Sequence, residues 1–143
     1  MLLDVNILLY AVNAADPRHR VVRPWLELRL AGSGAVGFAW LALLAFLRIA
    51  TGTRFSAPLS TSTALDLVEE WLAAPAALVV EPTARHLFVL RELLESSGRA
   101  GDIVPDAHLA ALAVEHGMSL ATFDTDFRRF QGLRVVVPAA QSS

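Results

Sequence analysis

Three aspartates stand where an apolar run stops or a helix begins: Asp4 after Met1-Leu2-Leu3, Asp106 in Val104-Pro105-Asp106-Ala107, and Asp124 after Leu120-Ala121-Thr122-Phe123. Asp126 follows two residues later. Carboxylates offer hard oxygen donors and negative charge, the ligand chemistry divalent cations select. At strand ends of a parallel α/β sheet they would line the edge where ligands bind. Such a group suits metal-assisted cleavage of phosphodiesters.

Asp4 interrupts the most apolar part of the N-terminus, and a buried carboxylate without partners is costly enough to force protonation, so an ion or a polar cluster must compensate it. Asp106 precedes an alanine-rich helix and gains from the helix N-terminus. Asp102, one turn earlier, would share its face if the helix already runs there, although a solvated cap is the plainer role. Asp124 has a comparable alternative as the cap of the turn before Phe127. Arg128-Arg129 beside Asp124-Thr-Asp126 suits a phosphate backbone, and a solvated charged turn explains it equally well. The histidines offer less: His108 points to another helix face than Asp106, His116 sits at a helix C-terminus, and His19 and His86 read as surface residues. Trp25, Trp40 and Trp71 have helical-face surroundings and read as core or interface.

The elements that must position these residues alternate. Met1 to Asp4 reads as a buried strand and Val5 to Ala14 as a helix. Asp16-Pro17 is placed to open a second helix carrying Val21, Val22, Trp25, Leu26, Leu28 and Leu30. Ala35 to Phe38 predicts a strand and Trp40 to Thr51 an apolar helix. Thr61 to Ala73 is amphipathic, with Leu65, Val68 and Leu72 expected on its buried face. Ala77 to Val80 predicts a strand, and Pro82-Thr83 opens a helix running to Gly98. The Asp106 helix closes at His116-Gly117. Ser119 to Phe123 and Arg134 to Val137 predict the last strands, with a turn over Asp124 to Phe130 between them. This alternation means a parallel sheet with crossover helices. Gly32-Ser-Gly34-Ala-Val-Gly37 matches a dinucleotide fingerprint in letters only, because it follows a helix and precedes a strand.

Composition narrows the chemistry. At 143 residues the chain fits one domain. It has no cysteine, and all twelve basic residues are arginine. Thiolate nucleophiles, cysteine-held zinc, the P-loop and Schiff-base chemistry are thereby excluded. The net charge of −2 neither advertises nor excludes nucleic acid. An apolar fraction of 55% and a mean hydropathy of +0.49 imply surface covered by another chain. Ala31 to Leu47 is too short and too interrupted by glycine for a membrane span, and the N-terminus lacks a secretory pattern, so the expectation is a cytoplasmic protein without membrane contact.

Leu2-Leu3-Asp4-Val5-Asn6-Ile7-Leu8, Asp106-Ala-His-Leu-Ala-Ala-Leu-Ala113 and Ala121-Thr-Phe-Asp124-Thr-Asp126-Phe127 together resemble the PIN-domain family, and within it the VapC ribonuclease toxins of toxin-antitoxin systems. The resemblance implies a three-layer α/β/α sandwich with a mainly parallel sheet over residues 1–138, followed by a short polar tail at 139–143. It implies a Mg²⁺- or Mn²⁺-dependent endoribonuclease that a VapB-like antitoxin neutralises, and a toxin homodimer. Matched by position, Asp4, Asp106 and Asp124 are the catalytic and metal-binding carboxylates, Asp126 is an accessory ligand, and Asn6 orients Asp4 or a water. Arg48, Arg128 and Arg129 are candidate RNA contacts. Many relatives carry a glutamate where this chain has Ala45. Asp102 or Asp126 would then substitute for it; the alternative is a catalytically weakened domain that binds RNA or protein without cutting.

Overall fold

The computed structural model describes residues 1–140, and the polar segment Gln141–Ser143 lies outside the described residues. Five short strands form one sheet: β1 (Leu2–Leu3), β2 (Val36–Phe38), β3 (Ala77–Val79), β4 (Leu120–Ala121) and β5 (Val135–Val136). Their order is β3-β2-β1-β4-β5, and every neighbouring pair is parallel. The helices are α1 (Val5–Val12), α2 (His19–Leu30), α3 (Trp40–Ala50), α4 (Thr61–Ala73), α5 (His86–Ser97) and α6 (Val104–Glu115).

The two-residue period of a strand divides the molecule into layers. Leu3 and Ala121 face a core built with α1 to α4, including Ile7, Val22, Phe46 and Trp71. Leu2 and Leu120 face the opposite core, made with Val89 and Leu93 of α5 and the alanine-rich side of α6. A sheet buried on both sides needs continuous apolar strands, which explains why Met1-Leu2-Leu3 and Leu120-Ala121 read as uninterrupted runs. Gly37 has no room for a side chain: a Cβ there would stand 2.7 Å from Val80 Cγ2.

Several helix starts differ from the sequence expectation for a local reason. Asp16 does not cap α2 directly; its carboxylate takes the Arg18 N–H and its carbonyl takes the His19 N–H, so a turn precedes the helix. Pro82-Thr83 likewise forms a turn, because Thr83 Oγ1 accepts the Arg85 N–H, and α5 begins at His86. The glycine-rich segment is the expected loop between α2 and β2. On α4 the buried face is Ala64, Val68 and Trp71, and Leu65 is exposed, which corrects the expected Leu65-Val68-Leu72 stripe. Trp71 decides the rotation, since it packs on both Phe38 and Phe46.

Candidate functional site

The chain leaves β1 toward β2 and β3 on one side, and returns through α5 and α6 to β4 and β5 on the other. The strand order therefore reverses between β1 and β4, and the crevice beyond their carboxyl ends is where ligands bind in such sheets. Asp4 follows β1 directly, and Thr122 and Asp124 follow β4. Asp106 lies in the first turn of α6.

Asp4 is buried, at 8% exposure, and partnered. Its Oδ1 accepts the Val5 N–H at 2.7 Å, and its Oδ2 accepts the Thr122 hydroxyl at 2.7 Å and Asn6 Nδ2 at 3.3 Å. Thr122 Oγ1 in turn accepts Asn6 Nδ2 at 3.1 Å and the Asp124 N–H at 3.0 Å. A hydroxyl has one proton and two lone pairs, so both acceptor positions are filled by N–H groups, which can only donate, and the proton is directed to Asp4. Asn6 Oδ1 completes the set by accepting the Phe123 N–H at 3.4 Å.

Charges are crowded here. Burial raises the Asp4 carboxyl above its ordinary value, the hydrogen bonds from Thr122 and Val5 oppose that, and Asp124 adds to it. Burial likewise raises Asp106, reinforced by the charges of Asp4 and Asp124 and opposed by Arg129. The charges of Asp4 and Asp124 thus both bear on Asp106, and a cation among them would relieve burial and repulsion together. The donor set is all oxygen and fits a hard divalent ion. Among the described residues the carboxylates do not converge into a three-ligand cage.

The remaining sequence candidates divide. Asn6 belongs to the network. Asp126 is exposed at the start of the 3-10 turn Thr125–Arg129, 3.3 Å from an Arg129 guanidinium nitrogen. Asp124 caps that turn by accepting the Asp126 N–H at 2.9 Å, so its capping role and its place at the crevice coexist. Asp102 lies exposed in the 3-10 turn Gly101–Ile103, just before α6. Arg128 is exposed, as is Arg48 in the last turn of α3. Ala45 is half-buried on α3, which packs on α1.

Sequence reasoning included Thr122 in the closing motif but gave it no role in the site. It also placed His86 at the surface. His86 is instead half-buried, with Nδ1 2.7 Å from Glu115 Oε2 and Nε2 2.9 Å from His108 Nδ1. Glu115 Oε1 accepts the Thr83 N–H at 2.7 Å, so one carboxylate ties the turn before α5 to α6. Burial, then the neighbouring His86, lowers the His108 pKa, against the pull of Glu115. The seven-residue separation of His108 and Glu115 places both on one helix face and was the visible clue.

Comparison with known proteins places the chain in a defined class. The chain belongs to the PIN domain family, whose match covers residues 1–133, and within it to the VapC ribonucleases. It is 47% identical over 140 residues to ribonuclease VapC37 of Mycobacterium tuberculosis, covering 97% of each chain. Ribonuclease VapC31 of the same species is 41% identical over 138 residues, covering 96% of this chain and 97% of the relative. Among solved structures, VapBC2 of Rickettsia felis bound to a promoter DNA fragment superposes with a TM-score of 0.71 at 20% identity, covering 96% and 98% of the two chains. Mycobacterium tuberculosis VapC20, a sarcin-ricin loop cleaving toxin, gives 0.62 at 19% identity, covering 93% and 98%. At these identities the structures speak for the fold. Ribonucleases of this family are generally dependent on divalent metal. No helix among the described residues is long and apolar enough to cross a membrane.

Proposed function

We propose that the chain is an endoribonuclease toxin in which Asp4, Asp106 and Asp124 hold Mg²⁺ or Mn²⁺ at the β1/β4 crevice. The observation that carries this reading is a buried Asp4 at the end of β1, held by Val5 N–H, Thr122 and Asn6, with Asp124 just beyond the paired strand β4 and Asp106 in the first turn of α6. When bound, the ion lowers the pKa of water and offsets charge on the scissile phosphate. The chain itself supplies orientation. Thr122 Oγ1 keeps its proton on Asp4 Oδ2, and Val5 N–H holds Oδ1, so Asp4 presents its remaining lone pairs in a fixed direction. Asp124 Oδ1 is committed to the Asp126 N–H, which leaves Oδ2 for the crevice. Arg129 is restrained by the Asp126 carbonyl and places positive charge near Asp106, where a phosphate would approach. Asp126, Arg128 and Arg48 take outer roles in this scheme, as accessory ligand and backbone contacts.

The domain runs through residues 1–138, and the cytoplasm is its working compartment. A VapB-like antitoxin and a second copy of the chain are the proposed partners. The exposed Trp40, Leu41 and Leu44 on α3 and Leu87 and Phe88 on α5 support such contacts. Of the tryptophans expected in core or interface, Trp25 and Trp71 are buried in the chain's own core and Trp40 is exposed.

Sequencing of RNA ends after a brief pulse of expression tests the function. Discrete new ends are expected with the parent and none with Asp4→Asn or Asp106→Asn. Equal cleavage by the parent and both variants would sink the assignment. A silent parent that gains cleavage on Ala45→Glu would favour the weakened binding domain.

A further inference from the structure

The connection between α1 and α2 carries a feature that the acidic site does not use. Asp16 holds the Arg18 guanidinium at two points, Nε to Oδ1 at 2.9 Å and Nη2 to Oδ2 at 3.0 Å. The guanidinium carbon lies 3.9 Å from the centre of the Tyr10 ring and 5.9 Å from that of Phe123. Tyr10 and Phe123 meet edge to face, with centroids 5.4 Å apart. The Arg18 side chain is nonetheless 47% exposed, so one face of its plane rests on Tyr10 while much of the group stays open to solvent.

A brace for the turn is the plain explanation, but the turn is already closed without this side chain. Asp16 N–H reaches the Asn13 carbonyl, His19 N–H reaches the Asp16 carbonyl, and His19 Nδ1 lies 2.8 Å from the Tyr10 carbonyl oxygen. A phosphate contact is the second explanation, and the paired Asp16 carboxylate cancels most of the charge it would need. What remains is a rigid plane held in place before any ligand arrives. Unpaired bases stack on aromatic rings and on guanidinium planes, and an immobilised plane loses little freedom on binding.

The location fits a substrate path. Tyr10 lies one helical turn after Asn6, on the same face of α1. Phe123 immediately precedes Asp124, and its N–H is bonded to Asn6. The shelf therefore hangs from the same two segments that carry Asp4, Asn6 and Asp124. We propose that Arg18, seated on Tyr10 and Phe123 and clamped by Asp16, is a stacking subsite for one unpaired nucleobase of the RNA next to the cleaved bond. This rests on the ribonuclease reading of the acidic site.

Cleavage kinetics on a short single-stranded RNA with Mg²⁺ test it. Arg18→Ala raises KM by about tenfold, in the range of losing one base stack, and leaves kcat within about twofold. Arg18→Lys keeps the charge, loses the plane, and behaves like Arg18→Ala. Abasic nucleotides are then placed singly on either side of the cut. At one position the missing base raises KM for the parent and has no further effect on Arg18→Ala. Rescue by lysine, or equal abasic penalties in both proteins at every position, overturns the proposal. If the parent cuts no RNA, the ribonuclease reading fails by itself. The shelf is then judged by the ring resonances of Tyr10, the only tyrosine, during titration with the same RNA in the absence of metal. Shifts that vanish in Arg18→Ala support the subsite, and an unmoved Tyr10 overturns it.

Discussion

Replacing Thr122 by valine removes one hydroxyl from a fully buried position and changes the side-chain shape little. Asp4 Oδ2 then loses its 2.7 Å bond and keeps only the longer contact from Asn6, while Asn6 Nδ2 and the Asp124 N–H both lose an acceptor. A hydrogen bond to a charged group contributes about 1.5–3 kcal/mol, and at roughly 3 °C per kcal/mol for a domain of this size the Tm falls by about 5–10 °C near pH 7.5. The effect depends on pH with a defined sign. Burial already raises the folded Asp4 pKa above the ordinary value of 3.8, so the folded state keeps this proton longer than the unfolded chain as pH increases. Through that window the group contributes less stability as pH rises. Without Thr122 the charged form is costlier still, so the folded pKa moves up and the loss at neutral pH exceeds the loss at acid pH. Melting curves for Thr122→Val at about pH 4.5 and pH 7.5, with Thr122→Ser retaining the hydroxyl as control, read this directly. An equal loss at both values, or serine losing as much as valine, would refute the reasoning. So would a full-sized loss in an Asp4→Asn background, where only a neutral hydrogen bond is left to remove.

Mg²⁺ or Mn²⁺ at about a hundred times its Kd should stabilise the chain by about 2.7 kcal/mol, a Tm rise of roughly 8 °C; no rise in the parent, or the same rise in Asp4→Asn, counts against the crevice as the binding site. Because the folded carboxyls of Asp4 and Asp106 are both raised, the metal-free protein loses stability from these groups as pH climbs above the ordinary aspartate value, and saturating metal flattens that slope in melts across pH. Glu115→Ala strips the Thr83 N–H and His86 of their shared acceptor and should cost about 3 kcal/mol in denaturant unfolding while leaving kcat on RNA unchanged. Gly37→Ala forces a Cβ against Val80, Leu2 and Met118 and should cost about 1–3 kcal/mol by the same measurement.

The acidic positions were legible because a carboxylate at the end of an apolar run is conspicuous in one dimension. Asp4 needs only its immediate neighbours to be identified as a buried charge, and Asp106 needs only the alanine-rich helix after it. Thr122 gives no such contrast, since a threonine in a strand is ordinary. Its meaning lies in a hydrogen bond to a residue 118 positions away. The pairing of His86 with Glu115 and the Arg18 shelf were hidden for the same reason: periodicity fixes which residues share a face, not what that face meets. The order of the strands belongs to this class of information as well. Alternation predicts a parallel sheet, but only the pairing of β1 with β4 places Asp4 beside Thr122 and Asp124. Leu65 shows the limit on α4, where apolar spacing allowed two rotations and the bulk of Trp71 selected one.

Ala45 is best understood through the charge of the proposed site. Asp4, Asp106 and Asp124 supply three negative charges in a partly buried crevice, and Arg129 already lowers the Asp106 pKa against them. One divalent cation offsets two of those charges, and Arg129, which Asp126 also engages, offsets part of the third. If position 45 borders the crevice, as the family resemblance implies, a fourth carboxylate there would leave an excess that only a second cation or solvent could balance. Asp126 is the more open carboxylate, its side chain 67% exposed and paired with Arg129, and Asp102 lies exposed in the 3-10 turn before α6. The alanine therefore fits a site poised for a single ion. On that basis Ala45→Glu should raise the number of Mn²⁺ bound per chain in a calorimetric titration while changing kcat by less than about tenfold. Two ions bound by the parent would show that the three aspartates and Arg129 are not the whole of the charge balance.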